Sequence, residues 1–366
     1  MQGKEGAVEL HRAIRNRWGM VRLVALPALA SLLFAGRGWV HFDWAVFWLE
    51  LRHVDWRHIA AGVGLIYAAV WLRALRWAVL IRGTRRVSPW VLLGPQFIGF
   101  TAVALFGRLA DVVRPALVAR RAGLSVSSQV AVYTIERTFD LGSAALIFSG
   151  ALLFAPNDLP HHAVFVRVGM ISLGLTALLA TFTLIARASG GAVADVARTA
   201  LGWLSKPIGE IVAGRIRSYC DGLGAIRSVR DLSTATLLSL TMWWMIASAY
   251  VETLHAFVDT PELATIPFLR TALLVGVSLG GSAIQLPVLG WFTQIALTAT
   301  AMHDLYGAPI EAATACGALL LGVTFISMIP IGLVFARINR FNMKFECKKT
   351  CESGDVECAE PGIPQK

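Results

Sequence analysis

The stretch YTIERTFDLGS, residues 133–143, carries Glu136, Arg137 and Asp140 between two otherwise apolar runs. On a helix Glu136 and Asp140, four residues apart, share one face, and Arg137, three before Asp140, is close enough to pair with it. Upstream, FGRLADVVRP repeats the theme, with Arg108, Asp111 and Arg114 at every third position. Three guanidinium groups thus accompany three carboxylates. A guanidinium offers planar, forked N–H donors that suit carboxylate and phosphate oxygens. The chemistry these types point to is recognition of an anion, with Arg108 and Arg114 beside a phosphate.

The surroundings make such charges expensive. Hydrophobic residues are 56% of the 366, charged residues 15%, and the mean hydropathy is +0.63, which describes a polytopic membrane protein. The net charge of +10 comes from arginines clustered between apolar runs, so it reports orientation in a membrane and not nucleic-acid binding. Apolar candidates for spans fall at roughly 20–36, 58–80, 90–107, 129–155, 163–186, 232–257, 265–284 and 309–336. The first, which follows HRAIRNRWGMVR, reads as a retained span and not a signal peptide. With the fourth starting near Val130, Glu136 lies about 10 Å in and Asp140 about 16 Å, too deep to reach the interface.

The positive-inside rule restricts the topology. If every segment crossed, the basic stretch Arg187–Arg230 would fall opposite the basic loop Arg82–Arg86. A re-entrant hairpin over 90–122, turning at Gly107, restores the parity and returns Arg108, Arg114, Arg120 and Arg121 to the cytoplasmic side. A second hairpin is expected near 265–306, broken at Gly280 and Gly281 and again around Pro287 and Gly290, between loops free of Lys and Arg. The expected fold is an all-α polytopic membrane protein with about six full spans plus two re-entrant helical hairpins in an inverted-repeat arrangement. Residues 1–19 form a cytoplasmic N-terminal segment, 20–340 the transmembrane domain and 341–366 a disordered cytoplasmic tail. Of the five cysteines, Cys347, Cys351 and Cys358 lie in that tail without the partners of a zinc site.

The run FGRLADVVRPALVARRAGLSVSSQVAVYTIERTFDL resembles the signature of the lysylphosphatidylglycerol synthase transmembrane-region family, also called the flippase-like domain. That family shows Pro-x-Arg-x-Gly-Glu-x-x-Arg on the hairpin, a GLS turn, then Glu-Arg-x-x-Asp. Arg108, Arg114, Gly123, Leu124, Ser125, Glu136, Arg137 and Asp140 match, whereas Phe106, Ala110 and Asp111 stand where Pro, Gly and Glu are usual. LRALRW (Leu72 to Trp77) and QLPVLGWFTQIA (Gln285 to Ala296) also resemble family landmarks, the second with Val288 and Trp291 at frequent glycine positions and Gln294 at a frequent acid. The resemblance covers about residues 20–340. Larger members continue into a soluble aminoacyl-transferase domain, for which the residues after Arg340 leave no room, so the resemblance implies the membrane role alone: moving a lipid or lipid-linked headgroup between leaflets.

Two other classes compete with a translocator. An intramembrane enzyme would use Ser282 of GGSA with His255 or His303 as base, but no catalytic constellation accompanies them. A scaffold or regulator of an envelope lipid- or glycan-modifying enzyme would dock it through the basic helices of 190–230. No cofactor, metal or nucleic acid is implied; the expected partners are an anionic membrane lipid and, for a scaffold, an enzyme encoded elsewhere. The expected location is a bacterial-type inner membrane, multi-pass, with both termini cytoplasmic.

Overall fold

The computed structural model describes residues 42–153, 162–202, 206–224, 228–283 and 289–338, and every regular element among them is helical. The chain divides into two units, Met1–Leu49 and Glu50–Lys366. Within the first, Asp43 caps the start of α1 (Trp44–Arg52), its carboxylate accepting from Ala45 N at 2.8 Å. The expected span at 20–36 and the tail 341–366 lie outside the described residues.

In the second unit, α2 (Trp56–Ile81) starts where Asp55 accepts from Arg57 N, and then runs 26 residues, through Gly62 and Gly64 and with no proline. It lies along α8 (Val229–His255), which Ser228 caps by accepting from Asp231 N. Their close approach depends on Gly62, where a Cβ would sit 3.3 Å from Ala249 O. Between them in sequence, α3 (Pro89–Phe106) ends at Gly107, whose φ of 78° a side chain would disfavour. A 3₁₀ turn (Arg108–Val112) and α4 (Val113–Ala122) then fold back along α3. At 10 residues, α4 is about 15 Å long, half a bilayer core. It stops at Gly123, φ 60°, where Leu124 N donates to Ala119 O at 2.9 Å.

Two long helices follow: α5 (Val126–Leu153) and α6 (His162–Gly202). With 41 residues, α6 is about 60 Å long, twice a bilayer core, so the span expected at 163–186 continues well past the apolar stretch. Helix α7 (Lys206–Leu223) returns along α6 and α5, held by Arg217 Nη2 on Asp195 Oδ1 at 2.6 Å and by Gly222 seated against Ser128.

A single turn, α9 (Pro261–Ala264), leads to α10 (Phe268–Ala283) and α11 (Leu289–Tyr306), which pack on each other. One sequence expectation is corrected here. Helix α10 runs straight through Gly280 and Gly281 to Ala283, and Gly290 belongs to the first turn of α11, so none of these glycines is itself the break. Backbone groups in an apolar medium need internal partners, which outweighs glycine's poor helix propensity of about 1 kcal/mol. Pro287 lies in 284–288, outside the described residues. Earlier in α10, Gly276 serves packing: a Cβ there would lie 2.5 Å from the Phe148 ring of α5. The last element, α12 (Ile310–Ile338), contains a π-helical stretch, Gly322–Ile326.

Among the described residues, four helices, α2, α3, α8 and α12, are long and apolar enough to cross a membrane. The molecule is an all-α, multi-pass membrane protein.

Candidate functional site

Helix periodicity puts Glu136 and Asp140 of α5 on one face, and that face is buried: Glu136 is 1% exposed and Asp140 5%. Opposite them stand Arg73 and Arg76 of α2, three residues apart. Arg73 Nη1 donates to Glu136 Oε1 at 2.6 Å and to Asp140 Oδ2 at 2.8 Å. Arg76 Nη2 donates to Asp140 Oδ1 at 2.7 Å and reaches Glu136 Oε1 at 3.1 Å, while its Nη1 donates to Ser239 Oγ of α8.

The α3–α4 hairpin closes the cluster from the other side. Arg114, with no exposed surface, donates from Nε to Asp111 Oδ1 at 2.7 Å, from Nη1 to Gln96 Oε1 at 3.3 Å and to Glu136 Oε1 at 3.4 Å. Its aliphatic stem lies in the notch of Gly99, where a Cβ would collide with Arg114 Cγ. Tyr133 of α5 donates to the other Asp111 oxygen at 2.5 Å. Arg137, more exposed than the rest, pairs with Asp140 Oδ2 at 3.1 Å and Glu136 Oε1 at 3.4 Å. Aromatic faces cover the guanidinium planes: Phe100 under Arg73 and Arg114, Tyr133 under Arg114 and Arg137.

Glu136 is the hub. Four guanidinium groups converge on its Oε1, while its Oε2 is buried with no hydrogen-bond partner. Arg76 Nε, Arg137 Nε and Gln96 Nε2 are likewise buried and unbonded. Four arginines thus face three carboxylates, with N–H donors unused, in surroundings where a lone charge costs several kcal/mol. Its chemistry, one more arginine than carboxylate with N–H donors to spare, is of the kind that suits an anion.

The balanced set of three and three expected from sequence is therefore corrected: Asp140 has Arg73 and Arg76 as its nearest partners, with Arg137 third, and the ion pairs gather Arg73, Arg76, Asp111, Arg114, Glu136, Arg137 and Asp140. Arg108 lies half-buried at the start of the 3₁₀ turn. Gln294 is placed elsewhere, in a neutral chain. Its Nε2 donates to Ser278 Oγ of α10 at 3.1 Å, and Ser278 is 2.8 Å from Tyr250 OH of α8. The ends of the two hairpins nonetheless touch, because Trp291 Nε1 donates to Ala104 O at 3.1 Å.

The family model for the lysylphosphatidylglycerol synthase TM region matches residues 20–332. The chain belongs to this family. No curated protein and no solved structure matches it. The matched part of this TM-region protein contains the whole arginine cluster and the Gln294 chain. His255 and His303, weighed above as bases, each face a backbone carbonyl, Ile266 O at 3.0 Å and Ala308 O at 2.8 Å, and the side chain of Ser282 lies outside the described residues. Among the described residues, no group of His, Cys, Asp and Glu could hold a metal ion.

Sequence reasoning missed Arg73 and Arg76 as site residues, although LRALRW was singled out. The signal was present: two arginines well inside a 26-residue apolar helix are as costly as Glu136 and Asp140. Gln96, Tyr133 and Ser239 carried no such signal, since neutral polar residues are common in membrane helices.

Proposed function

We propose that this protein binds the phosphate of an anionic lipid or lipid-linked headgroup at the Arg73–Arg76–Arg114–Arg137 cluster and carries it between leaflets. The supporting observation is the convergence of four guanidinium groups on one carboxylate oxygen, with further buried N–H groups unused. A phosphate oxygen entering beside Arg114 takes over the donors that Asp111 and Glu136 now occupy, exchanging one charge-assisted set for another. Acyl chains remain in lipid while the headgroup is in the cluster. Release follows when the carboxylates recover their arginines. Arg108, on the hairpin turn, receives the headgroup before Arg114 does.

The topology that serves this function has about six full spans and two re-entrant hairpins of opposite entry, α3–α4 and α10–α11, in an inverted repeat within a bacterial-type inner membrane, both termini cytoplasmic. Two features favour the first hairpin: α4 is half a span long, and its turn exposes Phe106, Leu109 and Val112, apolar residues suited to a hydrocarbon setting. Single cysteines at Ser88 and Ser127 are expected to be shielded from an impermeant thiol reagent added outside intact cells, and one at Asp158 to label. Labelling at Ser127 excludes the re-entrant arrangement.

The functional experiment uses protein reconstituted in liposomes with fluorescent phospholipids. The protein is expected to accelerate loss of protection from an impermeant quencher, and Arg114→Lys, which keeps the charge but not the fork, to slow it at unchanged protein yield. If no headgroup tested moves faster than in empty liposomes while an enzyme co-purifies in fixed ratio, the chain is a scaffold and the translocation reading fails.

A further inference from the structure

Away from the buried cluster, the loop after α2 combines positive charge with open volume. The loop 82–88 joins α2 to α3, two helices fit to cross the membrane, so it lies at a membrane boundary. Beside it is an open cleft of about 470 Å³. Its mouth is formed by Arg82, Arg86 and Ser88, and its wall by Leu75, Ala78 and Val87. The lining holds two guanidinium groups and no carboxylate. Both arginines are exposed, and Ser88, at the N-cap of α3, makes no side-chain capping bond, so its hydroxyl remains available as a donor.

The distribution of polarity identifies the occupant. Leu75 and Ala78 lie one to two turns inside α2 from Arg82, so the cavity passes from a cationic, hydroxyl-bearing mouth to an apolar wall in the direction of the hydrocarbon. A soluble anion would use the mouth and leave the wall idle. A phospholipid whose phosphate meets Arg82 and Arg86 lays the start of its acyl chains against Leu75 and Ala78. The positive end of the α3 dipole adds to the attraction. Trp90, 67% exposed and with its ring 6.1 Å from that of Trp71, stands one residue beyond Pro89 as an interfacial anchor at the same level.

We infer that this cavity is a surface site for the phosphate of an anionic membrane phospholipid, separate from the buried arginine cluster. It shares no residue with that cluster, so it stands whether or not the protein translocates lipid.

The test reads the site locally. In the full-length protein, Ser88→Cys is labelled with a thiol reagent and quantified by peptide mapping, with short-chain phosphatidylglycerol, short-chain phosphatidylcholine or inorganic phosphate as protectant. Phosphatidylglycerol is expected to protect at the lowest concentration. Adding Arg82→Gln and Arg86→Gln should raise the concentration needed about 25-fold, roughly fivefold for each arginine near an anionic lipid. Because both arginines are exposed, these changes leave the fold intact, and a matching loss of one phosphatidylglycerol adduct in native mass spectrometry provides a second readout. Leu75→Trp, which fills the wall, should abolish protection by the lipid and spare any by phosphate. Equal protection by inorganic phosphate and phosphatidylglycerol, equal protection by the two lipids, or an unchanged concentration in the double arginine variant would each overturn the proposal.

Discussion

The two helical hairpins solve the same problem in different currencies. In α3–α4 the buried polar side chains include two ions, Asp111 and Arg114, beside the neutral Gln96 and Thr101, and the ions are joined through Glu136 to Asp140, Arg73 and Arg76 on neighbouring helices. In α10–α11 those among the described residues are neutral, Thr271, Ser278, Gln294 and Thr298, with Ser278 linking Gln294 to Tyr250 of α8. Both sets are buried, yet only the first concentrates charge. Ions in a low-dielectric interior are strongly coupled, so losing one strands several others, whereas a neutral hydroxyl loses about one hydrogen bond. The charged hairpin therefore forms a single cooperative unit. The neutral one is expected to tolerate change better.

The largest expected effect lies in the charged half. Asp140→Leu leaves Arg73 and Arg76 short of their nearest carboxylate, and a loss of about 3–5 kcal/mol is expected, read as lost monodisperse protein in size-exclusion chromatography. Asp140→Leu combined with Arg76→Met should recover much of it. Equal behaviour of the single and double variants would break the contrast, since it would mean the ions are not coupled.

Next comes the fit of the hairpin itself. Gly99→Ala pushes a methyl group into the Arg114 stem, with an expected cost of about 1–3 kcal/mol and displacement of Arg114 from Glu136. Folding should survive and transport should fall. Unchanged transport would separate Arg114's position from function.

Tyr133→Phe is smaller. It removes the donor to Asp111, which keeps Arg114, so about 1–2 kcal/mol is expected, measured by thermal unfolding in detergent. The smallest effect belongs to the neutral half. Ser278→Ala cuts the link between Tyr250 and Gln294 at a cost of about 1 kcal/mol, with yield unchanged. A cost as large as that of Asp140→Leu would erase the distinction between the hairpins.

Legibility differs between the same regions. The turn at Gly107 was readable because glycine there precedes a charged, amphipathic segment too short to cross, and its φ of 78° is one that glycine adopts without strain. The glycines at 280 and 281 misled, because a glycine in an apolar helix is as often a packing notch as a break, which only the neighbouring side chains decide. Gln294 was counted among the substrate-binding residues because it stands where the resembled family often has an acid, and its partner proved to be Ser278 on the adjoining helix.

By itself, the sequence determined the solvent, the helical class and the family, because hydropathy over windows of about 20 residues and the ordered Arg-Asp-Arg and Glu-Arg-x-x-Asp spacings are local properties. It also marked Asp111, Arg114, Glu136, Arg137 and Asp140 as costly residues in need of partners. Which partners they took was decided by tertiary structure alone. Arg73 and Arg76 lie 60 or more residues from the carboxylates they hold, and no spacing rule reaches that far; only the packing of α2 against α5 and α8 brings the two arginines onto Glu136.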